Sequence, residues 1–256
     1  MNWLTSKFRL LRRWSKSGSG TMTVGVGKGL RFDPATSNAA YASGANELPV
    51  QQMLARHLFP GAVLYDVGAN VGFLSIIAAH LVGPTGTVYA FEPVPENAAA
   101  IRRNSSANGF QNIQVLEVAV THHSGTGELA LAAYSGGAVL AEVAKPPDWS
   151  GMLQVRLGSI DDLVEQESLK PPSFVKIDVE GAELGVLEGM RRTCARYRPT
   201  ILYEVDDAEL GPLRRKHALC EQWLDAHGYC VSEIPDSYAG IQWLVKHYVA
   251  VPTSGQ

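Results

Sequence analysis

Short apolar runs that end in an acid alternate, through much of this chain, with longer segments whose apolar residues recur at helical spacing. The first run, Val63-Leu64-Tyr65-Asp66-Val67, breaks at Gly68 and restarts as Phe73-Leu74-Ser75-Ile76-Ile77-Ala78-Ala79, which predicts strand, tight turn and helix. The second, Thr87-Val88-Tyr89-Ala90-Phe91, ends at Glu92, and Pro93 and Pro95 open the next helix, proline being tolerated in a first helical turn. Gly109 stops that helix, and Ile113, Val115, Leu116 and Val118 predict a third strand that runs on to Val120. Further strands are predicted over residues 173–179 and 200–205, with helices over 183–189 and 213–227 and a closing antiparallel pair over 229–234 and 242–251. Upstream, Val50, Met53, Leu54 and Leu58 mark a helix and residues 21–34 read as a short hairpin. Residues 125–157 leave this rhythm, with strands predicted over 128–131 and 153–157 as an antiparallel excursion. The whole predicts a Rossmann-like α/β fold. Its sheet is mostly parallel, with helices on both faces, an antiparallel strand near the C-terminus and a β-hairpin insertion.

In such a sheet the strand ends share one crevice, and the chemistry-bearing residues gather there. Gly68 and Gly72 allow close backbone approach to a ligand, and the helix starting after Gly72 offers unpaired N–H groups. The turn lacks the G-x-G-x-x-G fingerprint of dinucleotide sites, because Asn70 stands where the second glycine would be. It fits instead the acid-x-Gly-x-x-x-Gly turn of S-adenosylmethionine (SAM) enzymes, with Asp66 suited to the cofactor's ammonium. Glu92 falls 24 residues after Gly68, near the spacing of about 20 at which an acid meets a ribose. A solvated strand-end acid is the plain alternative for Glu92.

Three ordered blocks, Asp66-Val67-Gly68-Ala69-Asn70-Val71-Gly72, Phe91-Glu92-Pro93 and Val175-Lys176-Ile177-Asp178-Val179-Glu180-Gly181-Ala182-Glu183, resemble the FkbM family of SAM-dependent O-methyltransferases over residues 40–205. The resemblance implies a class I methyltransferase sheet, SAM as cofactor, and as acceptor a hydroxyl of a sugar, glycan or secondary metabolite. Candidate cofactor-binding residues are Glu47, Asp66, Gly68, Ala69, Asn70, Gly72, Phe73, Glu92, Pro93, Glu117 and Ala119. Glu47 enters by the resemblance, closing over the methionine end, or is an ordinary acid favoured by a helix N-terminus. Glu117 and Ala119 enter by position, where the third strand would pass the adenine.

Removing an alcohol's proton calls for a positioned base. Asp178 is the first candidate and Glu180 the second, since carboxylates gathered at strand ends shift one another's pKa values. His122 and His123, in a loop, are weaker candidates, and Lys176 reads as structural. No metal is assigned, although the same two carboxylates have the hard oxygens a divalent cation takes. Tyr134 and Trp149 in the insertion are candidates for the acceptor pocket, with Gly136-Gly137 permitting movement, and Glu204 ends its strand on the crevice side. Two other classes stand against transfer: a non-catalytic cofactor-binding protein of the same fold, and an NAD-dependent oxidoreductase.

Composition changes the picture in three places. With 256 residues, 46% hydrophobic and 18% charged, the chain suits one domain over 21–256, preceded by a distinct segment at 1–20. A formal charge of −3 gives no general attraction to nucleic acid. Cys194, Cys220 and Cys230 are scattered and odd in number, so neither a disulfide framework nor a zinc site is indicated, and a reducing cytoplasm fits. In the N-terminal segment Trp3, Leu4, Phe8, Leu11 and Trp14 accompany five basic residues. Such a helix either docks on its own domain or lies on an anionic membrane through residues 1–16. Oligomeric state is left open.

Overall fold

The computed structural model describes residues 20–33, 39–132, 138–141, 149–236, 238 and 244–253. The amphipathic N-terminal segment, Tyr134 and Gly136-Gly137 lie outside these. In chain order, α1 (Ala39–Ser43) and α2 (Leu48–His57) precede β1 (Val63–Val67), α3 (Phe73–Val82), β2 (Thr87–Phe91), α4 (Pro95–Ala107) and β3 (Ile113–Leu116). Then come β4 (Ala119–Val120), β5 (Gly125–Ala132), β6 (Ala138–Leu140), β7 (Trp149–Gly158) and α5 (Ile160–Gln166). The last part holds β8 (Phe174–Ile177), α6 (Glu183–Glu188), α7 (Arg191–Tyr197), β9 (Thr200–Asp207), α8 (Leu210–Ala226), β10 (Tyr229–Ile234) and β11 (Leu244–Pro252).

Among the described residues seven strands form the central sheet in the order β10-β11-β9-β8-β1-β2-β3. The pairs from β3 across to β9 are parallel, and β11 is antiparallel to both its neighbours. The predicted mixed α/β sheet and its closing antiparallel pair are therefore present. The strands alternate between two cores. Tyr65, Val67, Phe91, Val175, Ile177, Tyr203 and Tyr248 face one, while Leu64, Val88, Phe174, Leu202 and Val249 face the other with α3. Helix α3 is buried almost all round, through Phe73, Leu74, Ile76, Ile77, Ala78, Ala79 and Val82, the composition of a central helix. Fully burying one such Leu, Ile or Phe side chain stabilises by about 1.5–3 kcal/mol.

Four local expectations are corrected. The third strand does not run through to Val120: β3 stops at Leu116, and Ala119–Val120 becomes β4 of a second, four-stranded sheet ordered β4-β7-β5-β6. The alternation carries on past Glu117, but the last part hydrogen-bonds to β7 rather than to β2. Residues 21–34 make turns and a single antiparallel bridge, Thr21 to Arg31, rather than a hairpin. Asp66 lies within β1 and not at its end, and β8 ends at Ile177, before Asp178. Helix α5 goes beyond the predicted elements; its signal was Ser159, whose hydroxyl accepts from the Asp162 N–H at 3.1 Å as an N-cap.

Candidate functional site

The two faces of the central sheet part company at its carboxyl edge. On the α3 side four strands carry an apolar residue and, one pleat nearer the edge, a polar one: Leu64 then Asp66, Phe174 then Lys176, Leu202 then Glu204, and on antiparallel β11 Val249 then His247. Side chains two residues apart on a strand share a face, so the register gathers these groups. Asp66, Lys176, Glu204 and His247 are all buried.

Lys176 is the hub. Its Nζ donates to the Gly68 carbonyl at 3.0 Å and to Asp178 Oδ2 at 3.1 Å, and lies 3.5 Å from Asp66 Oδ1. Burial alone would lower its pKa, but Asp178, Asp66 and Glu47 outweigh burial and hold it above the usual value. Lys176, read from the sequence as structural, ties the glycine turn to the two acids. Strand alternation showed its face but not that this face becomes the crevice. Asp66 Oδ2 accepts from Ser75 Oγ at 2.5 Å, while Oδ1 is buried with no hydrogen-bond partner. The Lys176 ammonium balances its charge at 3.5 Å, longer than a good hydrogen bond, which leaves the oxygen able to take a closer cationic or N–H ligand group.

The β1–α3 turn stands beside this hub. Gly68 has φ 76°, and a Cβ there would overlap the carbonyl oxygen of Asp178; only glycine lets the two loops touch. Asn70 follows with φ 51°, a conformation asparagine tolerates. The Asn70 N–H donates to Glu92 Oε2 at 2.8 Å, and Glu92 Oε1 accepts from Val94 N at 2.9 Å and from Asn97 Nδ2 at 3.3 Å. Burial pushes the Glu92 pKa up to about 7 despite those donors.

Two hollows meet at Gly68, Asn70 and Asp178. The larger is lined by Phe91, Glu92, Pro93, Asn97, Val118 and Ala119. Leu129, Ala138 and Leu140 wall it from the second sheet, and Asp178, Val179, Glu180 and Ala182 from the β8 end. The smaller runs under Tyr41, Glu47, Ala69, Phe73, Leu74 and Lys176 to Asp66. Tyr41 stacks on Phe73 at 4.9 Å. Glu47 caps α2 in the left-handed region at φ 49°, and its Oε1 accepts from Asn46 Nδ2 at 2.6 Å and Tyr238 OH at 2.5 Å. Buried Gln51 fixes the loop before it, donating to the Gly44 and Asn46 carbonyls and accepting from Val26 N. A wider hollow at the opposite sheet edge, near Gly83, Phe110 and Lys170, has none of these carboxylates.

Most of the residues singled out in the sequence thus come together around one crevice, with Gly72 just behind it as the N-cap of α3. Others do not. Glu117 turns away to Arg102, 2.8 Å distant. His122 and His123 are exposed and bond to each other at 3.1 Å. Trp149 is about half exposed and lines neither hollow. Glu204 belongs to the polar row described above and pairs there with His247. Asn97, Asn46, Tyr238 and His247 were missed; none falls within a motif or at a fixed interval from the glycine turn. Among the described residues no three His, Cys, Asp or Glu side chains are arranged to hold a metal ion.

The donor set fits SAM better than a dinucleotide: a buried acid with a bare oxygen beside a glycine turn, a second acid at the next strand, and apolar walls between. A model of the methyltransferase FkbM domain matches residues 66–231. The chain belongs to the FkbM methyltransferase family. It is therefore a SAM-dependent methyltransferase, which sets aside the oxidoreductase alternative. Among relatives, the chain is 28% identical over 213 residues to the 31-O-demethyl-FK506 methyltransferase FkbM of Streptomyces tacrolimicus, covering 72% of this chain and 79% of that protein. It is 32% identical over 129 residues to the hexuronic acid methyltransferase AglP of Haloferax volcanii, covering 50% of this chain and 49% of that one. A solved FkbM methyltransferase from Methylobacillus flagellatus shares the fold, with a TM-score of 0.50 at 16% identity over 87% of this chain and 67% of that one. FkbM-family membership adds nothing about a membrane; among the described residues no helix is long and apolar enough to cross one.

Proposed function

We propose that this FkbM-family enzyme transfers the SAM methyl group to a hydroxyl of a sugar, glycan or related metabolite. The observation that carries the acceptor class is the polar end of the crevice. Asp178 and Glu180 line the larger hollow beside the hub, and carboxylates accept hydrogen bonds from hydroxyls. The relatives' own acceptors, an FK506 precursor and a hexuronic acid by their names, support it.

SAM supplies a methyl group already activated on sulfonium sulfur. The chain's part is to bind and align. In this reading Asp66 Oδ1 and Glu47 receive the cofactor's ammonium, Glu92 receives the ribose hydroxyls, and the backbone of Gly68, Ala69 and Asn70 passes between. Phe91, Pro93, Val118, Ala119, Leu129 and Leu140 make the apolar slot for adenine, and Phe73 with Tyr41 borders the methionine chain. Asp178, fixed by Lys176, and Glu180 hold the acceptor hydroxyl at the junction of the two hollows. Fixing the partners in one geometry is a large share of what such an enzyme contributes.

The test is transfer from methyl-labelled SAM to a panel of methyl glycosides of neutral hexoses and hexuronic acids, for wild type, Glu92→Ala and Asp178→Ala. Label in a sugar hydroxyl, lost in both variants, is the expected result. Label entering protein or RNA instead, or S-adenosylhomocysteine (SAH) binding with no transfer to any acceptor in a cell extract, would overturn the reading.

A further inference from the structure

A second polar cluster, one strand beyond Asp178, has no part in holding the cofactor. His247 on β11 pairs in register with Glu204 on β9, and its Nε2 lies 2.8 Å from Glu204 Oε2. Both side chains are buried, His247 at 3% exposure. A carboxylate has no proton to give, so Nε2 carries the hydrogen and donates. The other ring nitrogen, Nδ1, is buried with no hydrogen-bond partner. The Tyr238 ring packs 6.3 Å from the imidazole, and Tyr238 in turn donates to Glu47 on the wall of the smaller hollow. Through β9 the pair is one strand from β8, where Ile177 aligns with Tyr203, so that Asp178, just past the end of β8, and Glu204 each follow that aligned pair by one residue.

An imidazole whose one nitrogen is held by a buried carboxylate, and whose other nitrogen is bare, is the arrangement of an oriented general base. Asp178 is less free for that task, since its Oδ2 already accepts from Lys176. We propose that the Glu204–His247 pair takes the proton of the acceptor hydroxyl, His247 Nδ1 being the base and Glu204 the group that sets its tautomer. The assignment rests on the hydroxyl-methylation reading above. The proton passes from the acceptor oxygen to Nδ1 as an oxygen electron pair forms the new bond to the methyl carbon. The carbon–sulfur pair stays with sulfur, giving the neutral thioether, and the imidazolium later returns its proton to solvent. Three acids act on its titration, Glu204 on β9, Glu47 at the start of α2 and Asp178 after β8; the phenol of Tyr238 packs against the ring, and β10 opposes it with apolar Ile234. Burial lowers the imidazole pKa, but Glu204, Glu47 and Asp178 outweigh burial and hold it above the ordinary value. The acid limb of the rate profile therefore lies above the usual histidine range of about 6.5.

Two measurements test this. The first uses wild-type protein with isotope-labelled histidine and saturating SAH, and follows the His247 ring nitrogens by NMR against pH. The expected result is that, as pH rises above the ordinary histidine value, Nδ1 loses its proton while Nε2 keeps its own. A ring that stays doubly protonated throughout the pH range in which transfer occurs, or that keeps the Nδ1 proton instead, overturns the proposal. The second compares His247→Gln and Glu204→Gln for SAH binding by calorimetry and for transfer to methyl glycosides. SAH affinity should stay within about twofold while transfer by His247→Gln falls about 100-fold or more, the usual weight of a general base. In Glu204→Gln the acid limb should move to lower pH, because the charge that raised it is gone. Transfer by His247→Gln within about threefold of wild type, with an unmoved limb in Glu204→Gln, overturns the pair's role. Wild-type transfer is the control for the hydroxyl reading and the ring titration needs no acceptor, so the two ideas fail separately.

Discussion

The two faces of the central sheet use the same strands and almost the same lengths, yet one is apolar to its end and the other turns ionic over its last pleat. On the first, Tyr65, Val67, Val175, Ile177, Tyr203 and Val205 form an unbroken wall. On the second, Leu64, Phe174 and Leu202 give way to Asp66, Lys176 and Glu204. A parallel sheet covered by helices on both sides needs apolar residues on both. The substitution of charge for oil over one row of one face is therefore a local sacrifice of stability, and it is what makes the crevice.

The sharpest way to break the contrast is to remove the hub. Lys176→Met leaves Asp66 and Asp178 without their shared cation, and stripping one partner from a buried ionic cluster destabilises by roughly 3–5 kcal/mol. Urea unfolding should show that loss together with loss of SAH binding; a variant as stable as wild type would mean the acids are not held as described. Gly68→Ala comes next: the added methyl meets the Asp178 carbonyl and the residue sits at positive φ, so about 3 kcal/mol and most SAH affinity should go.

The pH response sharpens the comparison from the ligand side. Glu92, with its pKa pushed up to about 7 by burial, holds a proton in the folded chain that the unfolded chain gives up at lower pH. Its own contribution to stability therefore falls as pH rises from about 4.5 to about 7. Ribose hydroxyls donate to the ionised form, so SAH affinity should rise with pH across about 7 and weaken by up to about tenfold per unit below it. Calorimetry in buffers of differing ionisation heat should register proton release near pH 7 in wild type and none in Glu92→Gln. The smallest effect belongs to the apolar face. Ile177→Val, one residue from Asp178 but on the other side, should cost about 0.5–1.5 kcal/mol and leave SAH affinity unchanged. A marked loss of SAH binding there would show that the faces are coupled.

The cofactor turn was legible because its constraint is local. Glycines at 68 and 72 and an asparagine at 70 permit the positive φ that all three adopt, and α3 starts where the spacing puts it. Glu92 was legible for the same reason, as a strand-end acid at a fixed interval. What escaped reading depends on neighbours from elsewhere. Nothing in the run Ile113 to Val120 shows that it changes sheets at Glu117, since both halves are apolar. Lys176 looks like any buried lysine until Asp66 is placed opposite it, and His247 gains its meaning only from pairing with Glu204 across β11 and β9. Tyr238 reaches Glu47 across 191 residues, and no local pattern encodes that.

The crossing from β3 to β4 also bears on how such enzymes diverge. The second sheet leaves and rejoins the main fold at adjacent points, where the Thr121 N–H donates to the Gly158 carbonyl at 3.0 Å and the Ser159 N–H donates to Ser124 Oγ at 3.3 Å. Between those points the chain can lengthen, shorten or be exchanged without moving the register of a single central strand. The excursion is thus a tile set against a fixed frame, and because Leu129 and Leu140 wall the larger hollow from it, a change there reaches the cofactor's seat as well as the acceptor's.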